Sequence, residues 1–168
     1  SKIRIAKYAA GLIRSDDFVY LDAGTTTEAM IKYIAQGSTT FVTNAVSHAR
    51  LLAARNFKVY LLGGEFKAIT EAIVGEEAVV TLAKYNFTKG FWGANGISIQ
   101  KGYSTPEVKE ALVKQISMEN CEECYVLSDD SKLDQVSSVS FAPFKSARLI
   151  TTGNIPQTFL KCANVIRI

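Results

Sequence analysis

Short runs of β-branched and aromatic residues alternate along the chain with segments whose apolar residues recur at helical spacing. This alternation predicts strands that are separated by helices. The predicted strands cover residues 18–22, 39–43, 58–62, 88–92, 123–128, 148–152 and 165–168. A first helix is predicted from the i, i+3, i+4, i+7 spacing of Ala6, Ala9, Ala10 and Ile13, and further helices at 27–35, 45–54, 76–85, 107–119 and 157–162.

Several predicted strands are apolar on both faces, as in the runs VYLL at 59–62 and YVLS at 125–128. A strand of this kind is typical of a sheet that helices cover on both sides. The sequence therefore predicts an α/β fold with a mostly parallel sheet flanked by helices. At 168 residues, the whole range 1–168 is expected to form one domain.

Composition narrows the class of protein. With 48% hydrophobic and 21% charged residues, the chain has the means to build a core, which excludes intrinsic disorder. The formal charge is +3, and the 19 basic residues of the chain are scattered, so the segment alone is expected to bind DNA poorly.

No apolar run approaches the ~20 residues that cross a bilayer, and no signal peptide is evident. Three cysteines form an odd set that suits a reducing compartment. We expect a cytoplasmic protein without membrane association, and a piece of a longer chain, since the sequence does not begin with Met.

In a parallel α/β sheet, ligands bind beyond the carboxyl ends of the strands. The residues that follow the predicted strands are small, polar or glycine, at positions 22–27, 43–44, 63–67, 93–96 and 128–132. Asn44 and Gly64 belong to this set. Together these segments are expected to form one rim of a binding pocket.

The strongest single element is the run LDAGTTT, in which a strand ends at Asp22, Gly24 permits a tight turn, and Thr25, Thr26 and Thr27 open a helix. Free N–H groups at a helix start favour anions, and three hydroxyls can donate to anionic oxygens. The alternative is that one threonine only caps the helix; three in succession favour a phosphate site. Asp22 would repel phosphate, so we expect it to bind sugar hydroxyls or to brace the loop.

A second element is the segment KGYSTPEVKEALVK at 101–114, a loop that enters a helix at Pro106. Glu107, Glu110 and Lys114 share one helical face. They form either a solvated face of ion pairs or part of the pocket, and the pattern leaves both interpretations open.

These motifs, taken with VTN at 42–44, LLGGEFK at 61–67, IVGEEA, FWGANGIS and SDDSK at 128–132, resemble the carboxy-terminal effector-sensing domain of DeoR-family bacterial transcriptional regulators. The resemblance covers essentially the whole chain in the family's order and spacing. It implies a ribose-5-phosphate isomerase/CoA-transferase-like fold, a phosphorylated sugar as effector, homo-oligomers, and repression of operons for sugar uptake or catabolism. It also implies that operator DNA is bound only by an amino-terminal helix-turn-helix domain that this chain lacks, and it implies no cofactor and no metal.

The resemblance also implies which residues surround the effector. The residues implied are Asp22, Gly24, Thr25, Thr26, Thr27, Asn44, Gly64, Lys67, Asn95, Lys101, Gly102, Tyr103, Thr105, Glu110, Lys114 and Lys132. Many members of the family carry Arg at the position of Lys67. An arginine binds a phosphate with two parallel hydrogen bonds, a geometry that a lysine does not offer.

A sugar-phosphate isomerase is the alternative function, because the fold that the resemblance implies is shared with those enzymes. Isomerisation needs a carboxylate base close to the substrate carbon. Where the isomerases carry a DGADE-like loop, this chain has WGANG, so both aspartates are lost, to Trp92 and Asn95. Glu110 remains as a possible base, and the sequence favours binding over catalysis.

Two further features are expected to carry no function. Cys121 and Cys124 have C-x-x-C spacing, yet they precede a strand, and no second pair completes a zinc site. His48, the only histidine, lies on a predicted helix with no partner in the sequence, which favours a surface or packing role.

Overall fold

A computed structural model describes all 168 residues. The strands, in chain order, are β1 (Phe18–Leu21), β2 (Thr40–Thr43), β3 (Lys58–Leu61), β4 (Glu65–Lys67), β5 (Ala72–Val74), β6 (Phe87–Trp92), β7 (Gly96–Ser98), β8 (Gly102–Thr105), β9 (Cys121–Leu127), β10 (Val139–Ala142), β11 (Arg148–Thr151) and β12 (Val165–Arg167). The α-helices are α1 (Lys2–Ala10), α2 (Thr25–Met30), α3 (Val46–Ala54), α4 (Glu76–Leu82), α5 (Val108–Glu119) and α6 (Gln157–Leu160).

Seven strands form the main sheet, in the order β12-β11-β9-β6-β1-β2-β3, and every neighbouring pair is parallel. The predicted parallel sheet is therefore confirmed. The chain builds outward from β1 through β2 to β3, then returns to the other side of β1 with β6. Because the strand order reverses between β1 and β6, the connections that leave these two strands diverge and open a crevice at their carboxyl ends.

The side chains of β1 show how the core is divided. Val19 and Leu21 belong to a buried cluster with α1 and α2, whereas Tyr20 belongs to a second cluster with α4 and α5. Alternate residues of one strand point to opposite faces, so helices cover both sides of the sheet at β1, as predicted. The prediction is wrong for β3, because this strand lies at the edge of the sheet and Tyr60 and Leu61 are 43% and 44% exposed. No helix in the structure is both long and apolar enough to span a bilayer.

Two small antiparallel sheets, which the sequence pattern does not predict, flank the main one. β4 pairs with β5, and β7, β8 and β10 form a three-stranded sheet. Each of these strands has three or four residues, which is too short for a period of two to be distinguished from a loop.

The start of α2 also differs from the prediction. The helix begins at Thr25 rather than Thr27, ends at Met30, and continues as a 3-10 turn from Ile31 to Tyr33. Ile34 then adopts an extended conformation, with φ −70° and ψ 130°. All three threonines therefore lie inside the first turn of the helix.

We expect Gly90→Ala to lower the free energy of unfolding by about 1–3 kcal/mol, the usual cost of overpacking a core. Gly90 lies beneath the buried indole of Trp92, and a Cβ atom at this position would be 2.2 Å from the ring. Urea unfolding measures the change. Gly63→Ala is the matched control, because a Cβ atom there meets nothing within 4 Å; an equal loss in both variants would contradict this explanation.

Candidate functional site

A two-part cleft lies at the carboxyl ends of β1, β6 and β9. Its halves have volumes of about 350 Å³ and 540 Å³, in the range typical of small-ligand sites. Ala23, Gly24, Thr25, Asn95 and Lys114 line both halves, so the halves form one continuous depression.

The two halves carry opposite charge. We call the smaller one the cationic half, because Lys2, Lys114 and Lys132 line it against the single carboxylate of Asp129. The larger one is the acidic half, lined by Glu28, Glu71 and Glu110, with Lys114 as its one cationic side chain.

A buried ion pair between Lys114 and Asp22 forms the floor of the cleft. The ammonium group of Lys114 donates to Asp22 Oδ2, and to the carbonyl oxygen of Gly93 at 3.1 Å. Asp22 Oδ2 also accepts from the Gly93 N–H at 3.3 Å. Asp22 therefore braces Lys114 and the loop after β6, which is the second of the two roles expected for it. A phosphate in the cleft would meet the Lys114 ammonium and not this carboxylate.

The three threonines of α2 do not act alike. Thr27 is buried, and its hydroxyl lies 2.6 Å from the Asp22 carbonyl oxygen and 3.0 Å from that of Gly24. Thr25 Oγ1 accepts from the ammonium of Lys2 at 2.8 Å, and Thr26 lines the cationic half. All three threonines line the cationic half, but successive residues of a helix point about 100° apart, so their hydroxyls point in different directions. The Thr27 hydroxyl is thus engaged within the protein, and its contact with an effector stays a prediction.

His48 has hydrogen-bond partners beside the cleft that the sequence analysis did not predict, and its buried position fits a packing role, one of the two that were expected. It is buried and lines the acidic half, with Nε2 2.9 Å from Thr27 Oγ1 and Nδ1 3.2 Å from Ser47 Oγ. Because the Thr27 proton goes to a backbone carbonyl, Thr27 accepts from Nε2–H, and the neutral ring takes the Nε2–H tautomer. The signal that could have located His48 is topological: α3 begins just after β2, at the same sheet edge.

Burial lowers the pKa of His48 below its ordinary 6.5, against an opposing effect of Glu28, whose carboxylate is 4.0 Å from Nδ1. The unfolded chain therefore binds a proton at this ring more readily than the folded chain does. The contribution of the neutral ring to the free energy of unfolding is therefore complete above pH 6.5 and is lost as the pH falls below that value.

We expect the free energy of unfolding of the wild type, relative to that of His48→Gln, to decrease between pH 7.5 and pH 5.5, as measured by urea unfolding. A constant difference across this range would contradict the assignment of a neutral ring.

Asn95 and Thr105 lie together between the two halves. Thr105 donates from Oγ1 to Asn95 Oδ1 at 3.0 Å, which leaves the Asn95 amide N–H groups free to donate into the cleft. The backbone N–H of Asn95 is bound to the Ser104 carbonyl at 2.8 Å. Glu110, Lys114 and Lys132 are further predicted residues that line the cleft, as are the three threonines of α2.

Asp129 is held at the rim of the cationic half. The pKa of Asp129 is lowered, and the largest cause is the hydrogen bond from the Ser131 side chain. Burial opposes this shift, while the Ser131 backbone N–H and the charges of Lys132 and Lys2 add to it. Both lysines therefore lie close to this carboxylate. Lys2 comes from α1 and is a site residue that the sequence analysis missed.

Lys67 and Lys101 do not line the cleft. Lys67 donates to Glu107 Oε1 at 2.8 Å and lies 3.8 Å from Glu110 Oε2. The hydrogen bond to Glu107 is the largest cause of a raised pKa for Lys67, and it lowers the pKa of Glu107 in turn. Lys101 is exposed in the turn between β7 and β8. Of the helical face at 107–114, Glu107 thus forms a surface ion pair while Glu110 and Lys114 enter the site.

Four other predicted site residues have structural positions instead. Asn44 is buried and bridges the Ala23 N–H to the Ile73 carbonyl. Tyr103 is buried and donates to the Phe144 carbonyl at 2.9 Å. Gly102 has φ +78°, and a Cβ atom there would be 2.1 Å from the Ala142 carbonyl oxygen; Gly64 lines a separate depression beside α4. Glycine and tyrosine in these motifs serve turns and packing.

Cys121 and Cys124 are free thiols at the amino end of β9, at the edge of the sheet opposite the cleft. No group of three or more His, Cys, Asp or Glu side chains is arranged to hold a metal ion.

Curated relatives of the chain are bacterial regulators. It is 40% identical over 159 residues to the "Uncharacterized HTH-type transcriptional regulator FruR" of Bacillus subtilis, covering 94% of this chain and 63% of that protein. It is 34% identical over 154 residues to a lactose phosphotransferase system repressor of Staphylococcus epidermidis, covering 89% and 61%. The B. subtilis regulator IolR is 30% identical over 154 residues, covering 90% and 61%. The chain therefore spans less than two thirds of the length of these relatives.

Solved structures with a similar fold confirm the predicted fold class. Ribose 5-phosphate isomerase A from Neisseria gonorrhoeae has a TM-score of 0.58 at 15% identity, covering 79% of this chain and 52% of that one. The delta subunit of eIF2B from Chaetomium thermophilum has a TM-score of 0.57 at 16% identity, covering 80% and 48%. At these identities the likeness concerns the fold alone.

The family described as "DeoR C terminal sensor domain" matches residues 1–154. This range holds every strand of the main sheet except β12 and every residue that lines the cleft. The chain belongs to the DeoR family of regulators, as its carboxy-terminal sensor domain.

Proposed function

We propose that this chain is the effector-binding part of a transcriptional repressor of sugar uptake or catabolism, and that its effector is a phosphorylated sugar. The observation that carries the proposal is the division of the cleft into a cationic and a polar, acidic half. A phosphorylated sugar has the same division, with a dianion at one end and neutral hydroxyls at the other. The names of the relatives, among them a lactose phosphotransferase system repressor, support a sugar-related effector.

In this proposal the phosphate occupies the cationic half. Lys2, Lys114 and Lys132 supply three ammonium groups, and Thr26 supplies a hydroxyl beside them. Hydrogen bonds between charged partners are about twice as strong as neutral ones. The sugar hydroxyls then lie against Asn95 and Glu110, since amides and carboxylates offer the donors and acceptors that hydroxyls need.

The regulatory step in this proposal takes place in a longer protein that includes a helix-turn-helix, as the relatives named HTH-type do. Effector binding would change operator affinity, and DNA would change effector affinity by the same factor. A typical coupling changes affinity about 5- to 150-fold. We further propose that the protein works as a homo-oligomer in the cytoplasm, where its operator lies.

An isomerase is the alternative that Glu110 keeps open, because this carboxylate lines the acidic half. Two observations favour binding. Trp92, at the first lost aspartate position, is buried and donates from its indole to Ser117 Oγ at 2.9 Å. Asn95, at the second, has a neutral amide that cannot serve as a base.

A thermal unfolding screen against a panel of sugar phosphates tests the proposal. A ligand present at ~100 times its dissociation constant should add about 2.7 kcal/mol to the free energy of unfolding. We expect at least one sugar phosphate to do so while its parent sugar at the same concentration does not. If no sugar phosphate stabilises the protein, the proposed function is wrong; turnover of the stabilising ligand would favour the isomerase.

A further inference from the structure

The carboxylates of the acidic half carry more negative charge than the cationic side chains around them neutralise. Glu110 Oε2 is 3.8 Å from Lys67, but Lys67 donates to Glu107 at 2.8 Å, so two carboxylates share one ammonium group. Glu71 Oε1 is 3.9 Å from Arg50, whose side chain is 76% exposed. A pair this open to water is strongly screened.

The remaining charges of this half do not restore neutrality. Glu28 lies 4.0 Å from His48 Nδ1, yet His48 is a neutral ring that already accepts from Ser47. Lys114 reaches both halves, but it supplies only one ammonium group, which is already bound to Asp22 and to the Gly93 carbonyl oxygen. An anion entering the acidic half would therefore meet three carboxylates, and the one ammonium group that lines this half, that of Lys114, is assigned by the proposed function to the first phosphate.

We infer that the cleft selects sugars with a single phosphate, and that Glu28, Glu71 and Glu110 exclude a second phosphate from the far end of the ligand. This inference rests on the proposed function, which places the first phosphate among the lysines. The hydroxyls of an uncharged polyol can donate to the three carboxylates. A second phosphate would be repelled by each of these carboxylates, and it would meet no ammonium group besides that of Lys114.

The contrast between the halves thus determines both the orientation and the class of the ligand. The phosphorylated end lies toward α1 and the loop after β9, where Lys2 and Lys132 are located. The unphosphorylated end lies toward Glu28 at the outer side of α2 and toward Glu71 in the connection between β4 and β5. In either orientation, one phosphate of a bisphosphate lies among the ammonium groups, and the other lies among the carboxylates.

Calorimetry with matched ligands tests the inference at pH 7.5. The probes are fructose 1-phosphate, fructose 6-phosphate and fructose 1,6-bisphosphate, with glucose 1-phosphate, glucose 6-phosphate and glucose 1,6-bisphosphate as a second set. In each set that binds, we expect the bisphosphate to bind at least about 10-fold more weakly than the better monophosphate. Glu110→Gln keeps the shape of the side chain and removes one charge. It should therefore narrow the gap in affinity between the monophosphate and the bisphosphate by about 3- to 30-fold. Glu28→Gln provides a second variant with the same expectation.

The matched control is Glu77→Gln, which removes one exposed carboxylate from α4, outside the cleft, and should leave the gap unchanged. A wild type that binds a bisphosphate as tightly as its monophosphates overturns the inference while leaving the proposed function intact. An unchanged gap in both Glu110→Gln and Glu28→Gln also overturns it. If inorganic phosphate and every sugar phosphate fail to bind, the proposed function itself is wrong, and the inference fails with it.

Discussion

Lys114→Met is expected to destabilise the protein by about 3–5 kcal/mol and to weaken binding of the effector about 10- to 150-fold. The stability loss follows because Asp22 is left buried without its cation, and one uncompensated buried charge has this cost. The binding loss follows because Lys114 lines both halves of the cleft, and a hydrogen bond to a charged group contributes about 1.5–3 kcal/mol. Urea unfolding, followed by the fluorescence of the single tryptophan, Trp92, measures the first effect, and calorimetry measures the second.

The double variant Asp22→Asn, Lys114→Met separates these two effects. It removes both charges of the pair, and replacing a buried pair by neutral groups is often close to neutral for stability. We therefore expect the double variant to regain most of the stability that Lys114→Met loses, while its binding stays weak. Recovery of binding together with stability would mean that Lys114 is only a structural residue.

Removing the two outer lysines is expected to have the next largest effect on binding. Lys2→Ala combined with Lys132→Ala should weaken binding of a sugar phosphate about 10- to 100-fold, because two ammonium groups at the phosphate are lost. Both side chains are at least partly exposed, so the remaining affinity should also depend less on salt concentration. Calorimetry at two ionic strengths measures both changes.

The matched control removes two lysines far from the cleft. Lys84 and Lys161 are exposed and lie on other parts of the surface, so Lys84→Ala combined with Lys161→Ala changes the net charge equally. This control should bind the sugar phosphate nearly as the wild type does. An equal loss in the two double variants would show that net charge, and not the placement of Lys2 and Lys132, governs the affinity.

The sequence predicted the sheet and one side of the cleft because both depend on local patterns. Strands such as β1 and β9 are apolar on both faces, and residues that follow a parallel strand share one edge of the sheet. Asn95 and Lys132 were located by that rule. The role of Asp22 as a brace was one of two options, and the structure distinguishes them by the position of Lys114.

The rest of the site depends on contacts that local patterns do not encode. Lys2 reaches Thr25 because α1 packs against α2, and nothing in the first residues indicates this contact. Glu71 is brought to the acidic half by the short β4–β5 pair, which has no detectable period. Tyr103 stands in a motif whose pattern is equally consistent with packing and with binding, and only its buried hydrogen bond to Phe144 assigns it to the core.

The most direct test of a cleft built for a phosphorylated sugar is calorimetric titration of the wild-type protein with a sugar phosphate and with its unphosphorylated parent. The ligand pair comes from the stabilisation screen, and both titrations use the same buffer and pH. The charged contacts of the cationic half predict that the phosphorylated form binds at least about 100-fold more tightly, since two or more charge-assisted hydrogen bonds are lost with the phosphate. Equal affinity for the two forms would contradict the assignment of Lys2, Lys114 and Lys132 as a phosphate site.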